Sequence, residues 1–130
     1  MNLKINNEQL IIKDKTYNLF NIDFILNNGK TRIYFKDGTT RTVLNEYTAN
    51  ERLLCFEHIS HAVSNKNFIV IKDNILLNLN NIKKLSKTNS GVKLITKGFD
   101  LHIIDLTNEQ INIINNKIAE NKILEEAILL

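Results

Sequence analysis

The sequence predicts an α+β domain, mainly antiparallel β, folded from two related β-β-β-β-α units. Three observations carry this: a motif that returns after 60 residues, an Asp-Gly turn between strand-like runs, and two capping boxes that each open an amphipathic stretch. Tyr17-Asn18-Leu19-Phe20-Asn21-Ile22-Asp23 aligns with Leu77-Asn78-Leu79-Asn80-Asn81-Ile82-Lys83, sharing apolar-Asn-Leu-x-Asn-Ile. The same spacing sets Gly38 over Gly98, Val43 over Ile103 and Leu44 over Ile104. After one residue is dropped, Thr48 falls on Thr107 and Ile59 on Ile118. The first unit covers about 9–65 and the second about 67–124, with an apolar tail over 123–130, all in one domain of 130 residues.

In the first unit, Leu10–Lys13 and Lys15–Leu26 read as strands, followed by a turn at Asn27-Asn28-Gly29. Arg32–Phe35 and Thr39–Leu44 flank Lys36-Asp37-Gly38, where Gly accepts the positive φ that a tight hairpin turn needs. The second unit gives strands at Phe68–Ile71, Ile75–Leu85, Val92–Thr96 and Phe99–Ile104. Its turns fall at Lys72-Asp73-Asn74, Asn89-Ser90-Gly91 and Lys97-Gly98. Thr48-Ala49-Asn50-Glu51 and Thr107-Asn108-Glu109-Gln110 both fit a capping box, in which Thr covers an orphan N–H and Glu or Gln reaches back. Ala49, Leu53, Phe56, Ile59 and Val63 share one face of the first helix, as do Ile111, Ile114 and Ile118 of the second. With no Gly or Pro to stop it, the second helix is expected to run to about Leu129.

Composition excludes several classes. Apolar residues at 43% and charged residues at 24% are those of a globular chain, not a collagenous or strongly disordered one. A net charge of +3 is only mildly basic. No run of about 18 uncharged apolar residues is present, so no membrane partner is expected. The single Cys55 cannot form an internal disulfide, and the N-terminal residues lack a signal-peptide pattern; a reducing, cytoplasmic setting is the expectation.

Chemistry-bearing constellations are sparse. Cys55-x-x-His58-x-x-His61 suggests a metal site, but the third residue is rotated by about 240° from the first on a helix, and no second Cys completes a tetrahedron. The four glycines are isolated turn residues rather than a phosphate-cradling loop, and the carboxylates form no catalytic pair. No cofactor and no enzymatic activity are expected. The clearest charge feature is Lys83, Lys84, Lys87, Lys93 and Lys97, with no acidic residue between Asp73 and Asp100. Gathered around one end of the second unit, these would neutralise phosphates without reading bases, since Lys lacks the planar fork for bidentate contacts. The competing explanation is that they blunt sheet edges. Ile123, Leu124, Ile128, Leu129 and Leu130 place large apolar side chains in the tail, either docked on the sheet or reserved for a second copy or a protein partner.

The run Phe68-Ile69-Val70-Ile71-Lys72-Asp73-Asn74-Ile75-Leu76-Leu77-Asn78-Leu79-Asn80-Asn81-Ile82-Lys83-Lys84-Leu85 resembles the signature of LytTR DNA-binding domains, in which a short apolar strand leads to apolar-Asn-Leu-Asn-x-Ile-x-x-Ile. Ile22-Asp23-Phe24-Ile25-Leu26 is similar to the family's Asp-Ile-x-x-Ile strand, and Ser90-Gly91-Val92-Lys93-Leu94 through Ile104 to its last hairpin. The resemblance covers roughly residues 10–120. It implies a mostly β domain that reads DNA from loops entering successive major grooves. Where the family carries a polar His-Arg-Ser-like segment this chain has Lys72-Asp73-Asn74, and where the family has Ser-Arg-Arg it has Asp105-Leu106-Thr107. Lys30 remains as a carried-over basic contact, with Lys72 beside it in the expected DNA set and Asn74 as a base reader.

Two β-β-β-β-α units also resemble, in architecture only, the PUR-repeat and Whirly-type proteins that bind single strands on curved sheets. That mode requires exposed rings, for which Phe20, Phe24, Tyr34, Phe35, Phe68 and Phe99 are the strand aromatics available. The leading expectation is a nucleic-acid-binding regulator resembling a stand-alone LytTR domain, with homodimerisation possible. The alternative is a protein-interaction module on the same scaffold, such as a phage- or mobile-element-encoded inhibitor of a nucleoprotein machine.

Overall fold

Each half of the chain turns a motif of Asn and apolar residues into a strand break. The computed structural model describes residues 3–129, with side chains through 128. Its strands are β1 (Leu3–Asn6), β2 (Gln9–Ile12), β3 (Lys15–Asn18), β4 (Ile22–Asn27), β5 (Thr31–Phe35), β6 (Thr40–Val43), β7 (Phe68–Ile71), β8 (Ile75–Asn78), β9 (Ile82–Thr88), β10 (Gly91–Thr96) and β11 (Asp100–Ile103). The helices are α1 (Ala49–Val63) and α2 (Asn108–Leu129), and 3-10 turns occupy Leu19–Asn21 and Leu79–Asn81. The class is α+β with antiparallel pairing throughout.

The expected single strands Lys15–Leu26 and Ile75–Leu85 are each two strands joined by a 3-10 turn. Asn18 Oδ1 accepts from the Phe20 N–H at 2.9 Å, and Asn78 Oδ1 accepts from the Asn80 N–H at 3.0 Å. An Asn side chain that bonds the backbone two residues on competes with the ladder and turns the chain. Both halves therefore run hairpin, 3-10 turn, three strands, helix, with five strands each rather than four; β1 is an addition at the front. The capping boxes form at both helix starts, Thr48 with Glu51 (3.2 and 2.9 Å) and Thr107 with Gln110 (3.1 Å each way).

Three sheets stack. β1-β2-β3 and β9-β10-β11 are outer three-stranded sheets, and the central sheet has the order β6-β5-β4-β8-β7. The central sheet joins the halves, because β8 of the second pairs with β4 of the first, Ile25 opposite Leu76. Its inner strands β4 and β8 are apolar on both faces, as a doubly covered sheet requires, whereas the edge strand β6 exposes Thr40, Arg41 and Thr42. One face, with Ile25, Ile33, Leu76 and Phe68, packs on Leu10 and Ile12 of the first outer sheet and on Phe56, Ile59 and Val63 of α1. The other, with Phe24, Ile71, Ile75 and Leu77, packs on Val92, Leu94 and Ile103 and on Ile114 of α2. Phe24 stacks on Tyr34 at 4.4 Å, and both meet Phe99 edge-on at 5.9 and 5.0 Å. The face expected for α1 is corrected at two positions. Ala49 and Leu53 are exposed, and Cys55 lies buried among the core residues instead.

Candidate functional site

The five lysines of the second half do not form one patch. On a strand successive side chains alternate between faces, and residues directly opposite on neighbouring strands share a face. Lys93 lies opposite Ser86 and His102, and Lys84 opposite Ile95, on the outer face of the β9-β10-β11 sheet. Lys87 lies opposite buried Val92 and so belongs to the other face, where it projects past the end of the core. Lys83 sits at the register shift between the Ile95–Lys84 and Thr96–Ile82 pairs. Lys93 is compensated by Asp100 at 3.3 Å, an exposed pair worth under about 1 kcal/mol.

What the fold does gather lies where the two halves meet. The turns carrying Lys36 and Lys97 touch. The Gly98 N–H donates to Asp23 Oδ2 at 2.7 Å, and a Cβ on Gly98 would lie 2.4 Å from the Phe35 carbonyl oxygen and 2.9 Å from the Gly38 nitrogen. The backbone anchors repeat: Lys36 N donates to Asn21 O at 2.8 Å, and Lys97 N to Asn81 O at 3.0 Å. β9 begins beside these anchors, which brings Lys83 and Lys84 to the same end. Lys36, Lys83, Lys84 and Lys97 are all exposed, and among the described residues none has a carboxylate within ion-pair distance. Asp37 adds one negative charge; the Thr39 hydroxyl and then the Thr39 N–H hold its carboxyl below the ordinary value. Lys36 is not among the phosphate contacts expected from the sequence, although its turn is the counterpart of Lys97-Gly98 at the 60-residue spacing.

Lys30 and Lys72 occupy the opposite end of the central sheet. Their turns adjoin through Asn27 N donating to Asn74 O at 2.8 Å. Lys72 and Asp73 both adopt positive φ (53° and 58°), the tight turn that matches strand twist. Asn74 is only half exposed, and its Oδ1 is buried without a hydrogen-bond partner. The carbonyl end of its amide is thus turned inward.

A groove of about 420 Å³ runs from Lys36 along the free edge of β3, lined by Tyr17, Phe35, Asn18, Asn21 and Arg41. Tyr17 and Phe35 are ring-stacked at 5.9 Å and half-buried. Of the other strand aromatics, Phe24 and Phe68 are core residues, Tyr34 and Phe99 are committed to the cluster between sheets, and Phe20 is exposed.

Cys55 and His58–His61 form no ligand set. Cys55 is buried, both histidines are exposed, and among the described residues no three His, Cys, Asp or Glu side chains come together. Burial, and then the charge of Glu51, push the Cys55 thiol up. No helix among the described residues is long and apolar enough to cross a membrane.

The α2 tail is not docked on the sheets. Ile111, Ile114, Ile118 and Asn121 fall within about 80° of one another and face the domain, Asn121 Nδ2 donating to Leu79 O at 3.0 Å. Beyond Asn121 the helix overruns the domain: Ile123 and Leu124 turn away from the domain-facing stripe, Ile128 stays within about 20° of Asn121, and the three are 65%, 58% and 83% exposed. The side chain of Leu129 and the whole of Leu130 lie outside the described residues. Set against family models, curated proteins and solved structures, the chain matches none of them.

Proposed function

We propose that this chain is a small, non-enzymatic nucleic-acid-binding regulatory protein resembling a stand-alone LytTR domain, and that it grips phosphates with the lysines gathered where its two halves meet. The observation that supports this is the set Lys36, Lys83, Lys84 and Lys97: exposed, brought to one end by three separate elements, and unpaired by carboxylates. Lys30 and Lys72 offer a second, smaller contact at the far end of the central sheet. Ammonium groups on turns favour the backbone over base edges, so affinity is expected to exceed sequence discrimination. The Tyr17–Phe35 groove beside Lys36 suits an unpaired base stacking next to a bound phosphate.

The test is fluorescence anisotropy with random duplex DNA across a salt series. Four phosphate contacts give a log–log slope of about −3.6, and Lys83→Ala, Lys84→Ala and Lys97→Ala together flatten it by about 2.7. Negligible binding at low salt, or a slope that the triple variant leaves unchanged, overturns the reading. In that event the exposed tail face of Ile123, Leu124 and Ile128 favours the second reading, a protein-interaction module or inhibitor on the same scaffold.

A further inference from the structure

Among the described residues three sheets leave six free strand edges: β1, β3, β6, β7, β9 and β11. An unpaired edge is a template for intermolecular pairing, and proteins guard such edges with charge. Five of the six follow that practice: Lys4 in β1, Lys15 in β3, Arg41 in β6, three lysines in β9 and Asp100 in β11. β7 does not. It reads Phe68-Ile69-Val70-Ile71, hydrogen-bonds only to β8, and leaves Val70 39% exposed. A groove of about 630 Å³ beside this edge is lined by Val70 together with Leu53 of α1, itself 42% exposed.

The first half shows what belongs there. β2 is the counterpart of β7, since Gln9 pairs with Asn18 as Phe68 pairs with Asn78. The outer edge of β2 is filled by the antiparallel strand β1, with Leu3 opposite Ile12 and Ile5 opposite Leu10. In the second half the same edge is vacant.

From these observations we infer that β7 is a dimerisation edge, on which a second copy of this chain adds its own β7 antiparallel about a two-fold axis. This inference does not depend on the nucleic-acid reading. An axis perpendicular to the sheet keeps the two faces continuous only when residues of like facing oppose each other, an isologous contact. Any register centred on a single residue satisfies that, and the two that overlap most of β7 are centred on Ile69 and on Val70. Centring on Ile69 would bring Lys66 and Lys72, which flank β7 at its two ends, toward each other across the two-fold, an approach of like charges. Centring on Val70 avoids it: within β7, Val70 opposes Val70 and Ile69 opposes Ile71. The Val70-centred dimer merges two five-stranded sheets into one of ten and covers the exposed Val70 and Leu53 side chains.

The experiment is light scattering of the full chain over a concentration series, with Val70→Lys placing on β7 the charge the other edges already carry. The expected result is a mass rising from one chain to two for the native protein, and a Val70→Lys variant monomeric at every concentration, with the melting temperature the native chain shows at concentrations where it is monomeric. Val70→Cys fixes the register, because opposed residues of an antiparallel pair stand about 4.5–5.5 Å apart at Cα, within disulfide reach. Diamide should convert it to a covalent dimer while leaving the native chain, whose Cys55 is buried, uncrosslinked. A native chain that stays monomeric overturns the inference. So does a dimer that survives Val70→Lys, which would place the contact elsewhere, for example on the α2 tail. A Val70→Cys variant that fails to crosslink overturns the two-fold at Val70.

Discussion

The two halves solve the same local problem with different partners. In the first, the carbonyls exposed by the 3-10 turn are covered by the second half: Asn78 Nδ2 donates to Ile22 O at 2.9 Å and Asn81 Nδ2 to Phe20 O at 2.9 Å. In the second, a helix takes that part, and Asn121 of α2 supplies the amide to Leu79 O. The bulge residue differs in the same sense. Asp23, at the junction, is wholly buried and tied to the Gly98 N–H, whereas its counterpart Lys83 faces solvent. A repeated backbone thus receives different side chains according to whether a neighbour covers it, and the cationic end arises on the uncovered copy.

That comparison can be broken at the junction. Gly98→Ala should have the largest effect, because its Cβ would meet backbone atoms at 2.4 and 2.9 Å that no side-chain rotation can clear. A loss of about 3 kcal/mol in urea unfolding is expected; a loss below about 1 kcal/mol would mean the turns separate without cost. Asn78→Ala should cost about 2 kcal/mol, as it removes a buried amide that donates to Leu19 O and Ile22 O and accepts from the Asn80 N–H, although Ile22 O keeps Asn81 Nδ2 at 3.2 Å and Leu19 O keeps the Ile22 N–H. Asn121→Ala, on a half-exposed helix, should cost about 1 kcal/mol by the same assay. Equal losses would show that α2 is as integral to its half as a strand is.

The smallest effect is expected at the helix start. Thr48→Ala should cost about 1 kcal/mol through the lost cap. The Thr48 N–H, and then its hydroxyl, hold the Glu51 carboxyl below its ordinary value. A group depressed in the folded state stabilises while ionised, so this contribution is present above the ordinary carboxyl range and lost as pH falls through the folded value. Thermal melts of Glu51→Gln should show a weaker acid dependence than those of the native chain; identical profiles would remove Glu51 from the account.

The helices and hairpins were legible because their signals are local. Thr48 with Glu51 and Thr107 with Gln110 mark two helix starts within four residues each. Phe68–Ile71 carries the strand signal in its own composition. The 3-10 breaks were hidden because Ile and Leu continue across them, and only the Asn side chain decides between ladder and turn. The lysine group was half legible. Sequence order collects Lys83 to Lys97, but strand alternation sends Lys87 and Lys93 elsewhere, and only tertiary contact brings Lys36 to Lys97. β1 carries Leu and Ile at alternate positions, yet without its pairing to β2 four residues give little signal.

The aromatic cluster between the sheets has a practical corollary. The chain has no tryptophan, so its near-ultraviolet optical signal comes from three tyrosines and six phenylalanines. Tyr34 packs against Phe24 of its own half and Phe99 of the other, whereas Tyr17 stacks only within the first half. Circular dichroism at tyrosine wavelengths therefore contains a built-in gauge of whether the halves are parted, and a chain carrying both Tyr17→Phe and Tyr47→Phe would leave Tyr34 as the one tyrosine reporting it.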